Sequence, residues 1–453
     1  MERKSIHGQW STRLAFILAA TGSAVGLGNI WEFPYITGEN GGGAFVLVYI
    51  LCVACIGLPI MISEILIGRR GRQNPMDSMG SLARDDGRSV HWQWVGLVGV
   101  CAGFLILSFY SVIAGWAVAY LFRAAGGLFH GVTAESSKQI FAGLTGDPER
   151  VIAWHSAFMA MTMFVTARGV QGGLEQAAKI MMPALFMILL LMVGYGLHSG
   201  DAERAFRFLF QPDFHRLTGA GVLEAMGQAF FSLSLGMGAI MIYGSYLPGD
   251  VSIARSALVV AVSDTAVALL AGLAIFPIVF SNHLQVGSGP GLIFVTLPIA
   301  FGQMPYGRVF GALFFLLLVF AAWTSAISLM EPPVTWLVER HRISRFRATM
   351  LTGGITWLLG LGTVFSFNIW SGATLWHMTL FDGIDSLTSN VMLPLGGFAM
   401  SVFAAWVMAR SSSSGELRTS PGVYRLWRFL ARFVAPVAVA VVFLNAIGVI
   451  RFS

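Results

Sequence analysis

The chain has 453 residues, 56% of them hydrophobic and only 11% charged, against roughly 25% charged residues in an ordinary soluble domain. That composition, with a mean hydropathy of +0.73, excludes a soluble enzyme. The 28 Lys and Arg against 22 Asp and Glu give a net charge of +6, which on so apolar a chain reads as membrane orientation rather than nucleic-acid binding. Apolar runs long enough to cross a bilayer, about 20 residues each, predict eleven spans in chain order, near 11–37, 41–68, 92–122, 150–167, 176–198, 222–246, 255–281, 309–338, 348–366, 379–409 and 428–450. The N-terminus and the even-to-odd connections carry 20 of the 28 basic residues, with clusters at Arg69, Arg70 and Arg72 and again at Arg340, Arg342, Arg345 and Arg347. This places the N-terminus in the cytoplasm and, with eleven spans, the C-terminus outside. Arg3 and Lys4 before an apolar stretch also fit a cleaved signal peptide, but the apolar run continues past any small-residue cleavage site. Cys52, Cys55 and Cys101 lie in apolar runs with no His at metal-ligand spacing, so neither a disulfide framework nor a zinc site is expected.

Two spans contain glycine clusters at their centres. The first holds Gly22-Ser-Ala-Val-Gly26-Leu-Gly28-Asn29 and the sixth Ser232-Leu-Ser-Leu-Gly236-Met-Gly238. Backbone that leaves the helix inside a bilayer must be buried in protein or line a cavity. As first and sixth of ten, the two clusters hold matching places in two five-helix halves of opposite orientation, an inverted repeat of 1–198 and 199–409 followed by a connector and extra span at 410–453. Gly22 and Gly26 equally fit a small-residue helix contact. Polar neighbours favour the break: Ser23, Asn29, Ser232 and Ser234 could hold an ion or a carboxylate beside freed amides.

The run from Gly22 through Asn29 to Pro34, then Glu39-Asn-Gly-Gly-Gly-Ala-Phe45, then Phe230-Phe-Ser-Leu-Ser-Leu-Gly-Met-Gly238, resembles the bacterial branch of the neurotransmitter:sodium symporter family, and the resemblance continues in order along the chain. It implies an all-α integral membrane protein of the leucine-transporter type, with a 5+5 inverted repeat and broken helices one and six. It also implies a multi-pass protein of the bacterial inner membrane that imports amino acids or amines with sodium.

The resemblance puts a first sodium at the Ala24 carbonyl, Asn29, Ser232, a seventh-span side chain and the substrate carboxylate, which couples ion and substrate directly. A second sodium falls to the carbonyls of Gly22, Val25 and Ala321 and the hydroxyls of Thr324 and Ser325; the ordinary alternative for those hydroxyls is bonding back to their own helix. Asp264 is a carboxylate within the seventh span, an expensive place that asks for a partner or a pathway. Aligned on Gly272 it takes the position of an Asn ligand in relatives, and Ala268 stands where chloride-dependent relatives have Ser. Asp264, beside Tyr49, Gln228 and Ser232, is therefore expected to supply the charge that chloride provides elsewhere, making transport chloride-independent. A carboxylate left buried without sodium also favours a proton, which adds proton counter-transport to the expectation. A one-residue slip would assign the ligand role to Ser263.

Gly26 stands where amine transporters carry an Asp, so an amino acid is favoured over a monoamine. By the same carry-over the substrate carboxylate meets the amides of Leu27 and Gly28 and the hydroxyl of Tyr110, and its ammonium meets carbonyls of Ala24, Phe231 and Ser232 with help from Ser234. The side-chain pocket is Ile106, Phe231, Ser234, Met237, Ser325 and Leu329: uncharged, mostly apolar, and suited to a neutral hydrophobic L-amino acid.

Gate residues carried over are Asp385 on the outer side and Trp10, Ser245, Tyr246 and Glu339 on the inner side. The outer basic partner of Asp385 is replaced by Glu32, so the usual ion pair cannot form. The inner Arg partner of Glu339 aligns with His7, leaving Arg3 or Lys4 as expected substitutes. Glu64 is expected to brace the unwound sixth span, while Asp382 reads as a loop-end charge and Glu331 carries less weight. Two rivals stand beside sodium symport: a proton-coupled amino-acid permease on the same fold, and a transport-impaired sensor or scaffold, for which Glu32 is the support. An enzyme is not expected: no nucleophile, base and orienter assemble, and Glu39-Asn-Gly-Gly-Gly43 lacks the Lys-Ser/Thr of a phosphate loop.

Overall fold

The computed structural model describes residues 3, 5–282, 284 and 291–450. Helices stand at all eleven expected positions. Among the described residues no strand forms, and Leu375 and Met378 share an isolated bridge. Among the described residues eight helices are long and apolar enough to cross a bilayer: spans two (Gly43–Gly71), three (Val90–Ala125), five (Val170–Ser199), seven (Ile253–Ser281), eight (Gly307–His341), nine (Arg345–Ser366), ten (Leu380–Val407) and eleven (Pro421–Ala446). The first span is a ninth, made of Arg13–Ala24 and Gly28–Glu39 bent by 55°. Two expected spans do not stand out by length and composition. The fourth, Pro148–Ala167, carries Glu149, Arg150 and His155. The sixth is divided into Gly219–Ser232 and Ala239–Ser245, each too short alone.

Local chemistry sets both breaks. Thr12 caps the first helix by accepting from the Ala15 amide, and the helix ends at Val25, whose ψ of 104° is extended. In the sixth span Ser234, Gly236 and Gly238 all have positive φ, 54°, 82° and 74°. A serine pays for that conformation with strain that glycine avoids. At Gly236 glycine is required twice over, since a Cβ would also lie 2.4 Å from the Leu393 carbonyl oxygen. The freed Gly236 amide donates to Glu64 Oε1 at 2.7 Å, the bracing expected of that buried carboxylate.

Spans three and eight pack along their length at the centre of the bundle, and the broken spans lie against them. The connections hold more structure than their sequence suggests. Ala134–Thr145 is a helix closed by a Thr133/Ser136 capping box. Leu292–Gln303, between spans seven and eight, is an apolar helix too short to cross. Asp382 is more than a solvated charge: it forms a capping box with Thr379 at the start of span ten.

Candidate functional site

The two breaks face each other. The twelve residues expected around a substrate, Ala24, Gly26, Leu27, Gly28, Ile106, Tyr110, Phe231, Ser232, Ser234, Met237, Ser325 and Leu329, line one cavity of about 30 Å³. That is room for little more than a water or two, so anything larger enters only as the walls move apart. Met237, unbranched and flexible, is the wall residue best able to yield. The groups expected at a substrate carboxylate meet one another here: the Leu27 amide donates to the Tyr110 hydroxyl at 3.3 Å. Ser234 donates to the Ser23 carbonyl at 2.7 Å. A Cβ at Gly26 would come within 2.7 Å of Ser325 Oγ and 3.1 Å of Tyr110 Oη. Gly26→Ala is therefore expected to weaken substrate binding about tenfold or more, the effect of roughly 1.4 kcal/mol, measurable by scintillation proximity with purified protein.

Beside this cavity a fully buried carboxylate is surrounded by neutral polar groups. Asp264 Oδ1 accepts from Asn29 Nδ2 at 2.8 Å and its Oδ2 from Ser232 Oγ at 3.1 Å. Tyr49 Oη lies 3.2 Å from Ser232 Oγ, and Asn29 Oδ1 accepts from the Gly26 amide at 3.1 Å. It is Asp264, not Ser263, that meets Asn29. Gln228 donates to the Gly28 carbonyl at 3.1 Å and extends the network. Oxygen donors around one uncompensated negative charge suit a hard cation.

A second group of oxygens gathers where the first span meets the eighth. Ser325 Oγ lies 3.5 Å from the Gly22 carbonyl and 3.3 Å from those of Ser23 and Val25. Thr324 Oγ1 donates to the Phe320 and Ala321 carbonyls, both at 3.1 Å, the back-bonding alternative. Its side chain nonetheless abuts Gly22, where a Cβ would lie 3.1 Å from Thr324 Cβ.

On one side of the cavity Tyr110 and Phe231 form the floor of a vestibule of about 660 Å³, with Trp31, Tyr35, Phe109 and Trp116 among its walls. Glu32, Glu224 and Asp385 line it, and among the described residues no Lys, Arg or His does. Asp385 accepts from Ser389 Oγ, one turn on, at 3.0 Å.

The other side is packed shut. Trp10 donates its indole N–H to the Tyr243 carbonyl at 2.9 Å and its amide to the Tyr246 carbonyl at 3.0 Å. Ser245 Oγ bonds back to the Ile242 carbonyl. Glu339 takes His7 itself, Nε2 to Oε1 at 3.0 Å. This corrects the expectation of a substitute: Arg3 pairs with Asp85 at 2.9 Å, and Lys4 lies outside the described residues. The imidazole reaches because Trp10 draws the segment tightly onto the sixth span.

Asn74 and Glu175 escaped the sequence, and Glu331 carries more weight than its sequence suggests. Asn74 donates its amide and side chain to Glu339 Oε2 at 2.8 and 2.7 Å; the Asn74-Pro75 helix start was the available signal. Glu331 is fully buried, accepts from Tyr246 Oη at 2.7 Å and pairs with Arg345 at 2.5 Å. Glu175 holds Lys179 at 2.6 Å and accepts from the Ser11 amide at 2.9 Å.

Comparison with known proteins agrees with this architecture. The chain matches the Sodium:neurotransmitter symporter family over residues 7–128 and 147–452. It is 39% identical to the uncharacterized sodium-dependent transporter YhdH of Bacillus subtilis, with 98% of each chain covered. It is 32% identical to an uncharacterized sodium-dependent transporter of Haemophilus influenzae, covering 96% of this chain and 97% of that one. The crystal structure of MhsT in complex with L-phenylalanine superposes with a TM-score of 0.89 at 44% identity, covering 97% of this chain and 99% of that one.

The chain belongs to the sodium:neurotransmitter symporter family. It is a sodium-dependent membrane transporter with the leucine-transporter-type fold, and not an enzyme.

Proposed function

We propose that this transporter imports neutral hydrophobic L-amino acids together with sodium by alternating access, without a chloride requirement. The observation that carries the reading is the uncharged, largely apolar cavity between the two helix breaks, with the Asp264 cluster directly beside it. The L-phenylalanine bound by MhsT, 44% identical, supports the same substrate class.

In this reading the first sodium sits among Ala24, Asn29, Ser232 and Asp264 and shares the substrate carboxylate. The second sits among Gly22, Val25, Ala321, Thr324 and Ser325. Leu27, Gly28 and Tyr110 orient the carboxylate, while Ile106, Phe231, Met237 and Leu329 receive the side chain. Asp264 supplies the charge that makes chloride dispensable, and it is the place for a proton on the return step. The halves 1–198 and 199–409 act as inverted repeats, the Trp10 end faces the cytoplasm and the vestibule faces outward. Residues 410–453 add the eleventh span, which leaves the C-terminus outside, and the membrane is the bacterial inner membrane.

The test is binding of the twenty amino acids to purified protein, with and without sodium, in chloride and in gluconate. Hydrophobic amino acids are expected to bind only with sodium and equally in the two anions. Sodium-free binding would turn the reading toward a proton-coupled permease. The vestibule gives the transport-impaired reading one specific support, three carboxylates and no basic partner at the outer gate; that reading predicts no binding in any medium until Glu32→Arg restores the pair.

A further inference from the structure

Span two ends in Arg69, Arg70 and Arg72, a run that membrane orientation alone would explain. Two of these side chains do something more specific. Arg72 Nη1 donates to the carbonyls of Ser245 at 3.0 Å and Leu247 at 2.6 Å, at the end of the inner half of span six. Terminal carbonyls there lack helical partners and attract cations. Arg69 is buried, its side chain 1% exposed. It donates Nε to Glu416 Oε1 at 2.5 Å, Nη1 to the Val251 carbonyl at 2.5 Å and Nη2 to the Glu416 carbonyl.

Glu416 lies on Arg410–Leu417, the helix that connects spans ten and eleven. The same connector is tied at three further points. Asp86 accepts from the Ala409 amide at 2.8 Å and Ser412 Oγ at 2.7 Å. Arg70 donates to Ser412 at 3.1 Å. Arg418, just past the helix, reaches the Gly249 carbonyl at 3.4 Å. Span eleven has only 22% of its apolar stretch buried, yet its Trp427 donates to the Pro59 carbonyl of span two at 3.1 Å.

We propose that the connector 410–418 is a latch on the cytoplasmic gate. Through Glu416 and Arg69 it fixes the 246–251 turn, and with it the inner half of span six, against span two, so that span eleven travels with that pair. The guanidinium fork is satisfied from three directions at once. A buried guanidinium deprived of its carboxylate must find water, and the turn it holds is then released. Glu416 and Arg69 are positioning residues, since neither touches the cavity. The proposal rests on the reading of the Trp10 end as a closing gate, but not on which substrate is carried.

The test places spin labels at Gly249→Cys, where a Cβ meets nothing within 4 Å, and at His341→Cys, in full-length protein with Cys52, Cys55 and Cys101 changed to alanine. Distances are measured by double electron-electron resonance in nanodiscs with sodium and no amino acid. The parent is expected to give one dominant distance. Glu416→Gln should add a longer-distance population, Arg69→Lys, which keeps the charge but not the fork, a smaller one, and Glu416→Asp should restore the parent trace. A Glu416→Gln trace indistinguishable from the parent overturns the latch. If Glu416→Gln lowers the folded yield, the Arg69→Lys trace decides by the same criterion. A parent distance that does not change when sodium is removed overturns the gate reading and the latch with it, whereas a wrong amino-acid assignment leaves these distances untouched.

Discussion

Asp264→Asn is expected to abolish sodium-driven uptake in both chloride and gluconate. Asparagine fills the same space and keeps a hydrogen bond to Ser232, but it removes the negative charge that Asn29 and Ser232 surround. A sodium ion beside a neutral amide loses the direct attraction of the carboxylate, so sodium binding should weaken by roughly 10- to 100-fold. The double variant Asp264→Asn with Ala268→Ser recreates the residue pair of chloride-dependent relatives and should recover uptake in chloride alone. Isotope flux into proteoliposomes in the two anions measures both. Undiminished flux from the single variant would remove Asp264 from the ion shell.

The second large effect is expected far from the ions, at Gly68. A Cβ there would lie 1.8 Å from the Met241 carbonyl oxygen and 3.1 Å from the Ser245 amide. Reciprocally, a Cβ at Gly244 would lie 2.8 Å from Ile65 Cα. The backbones of span two and the inner half of span six therefore touch, and neither obstructing atom can swing aside as a side chain can. Gly68→Ala should cost at least the 1–3 kcal/mol typical of overpacking, read as a lower unfolding temperature in detergent. Gly354→Ala, on span nine with nothing within 4 Å of the added Cβ, is the matched control and should unfold with the parent. Equal temperatures for the two variants would show that the helices can separate freely.

Much of this architecture was legible because membrane proteins write it locally. Long apolar runs mark spans, and glycines beside polar residues mark breaks, so the places of Gly22 to Asn29 and of Ser232 to Gly238 could be read without a partner in view. What could not be read depends on which side chains the fold brings together. His7 reaches Glu339 across most of the chain, displacing the more obvious Arg3, and only the path taken by the N-terminal segment decides between them. Glu331 and Arg345 are close in sequence, but they sit on different spans and pair only because the chain reverses between them. Leu292–Gln303 read as a connection because its apolar run falls short of a bilayer's thickness; its burial comes from packing against protein. Ser234 lines the cavity, and its hydroxyl also meets the Ser23 carbonyl, a partner that only the left-handed backbone there brings within reach.

The vestibule has one more consequence. Glu32, Glu224 and Asp385 line it and no basic residue among the described ones does, so whatever charge it carries is negative, and walls of low dielectric focus such a field inward. On the proposed reading, sodium ions and zwitterions arriving ammonium-first are drawn inward, and anions, acidic amino acids among them, are slowed before they reach the pocket. Discrimination against negative solutes would then be exercised in transit, as a difference in arrival rate that added salt flattens. In that reading the uncharged chamber below is left to sort neutral side chains by shape.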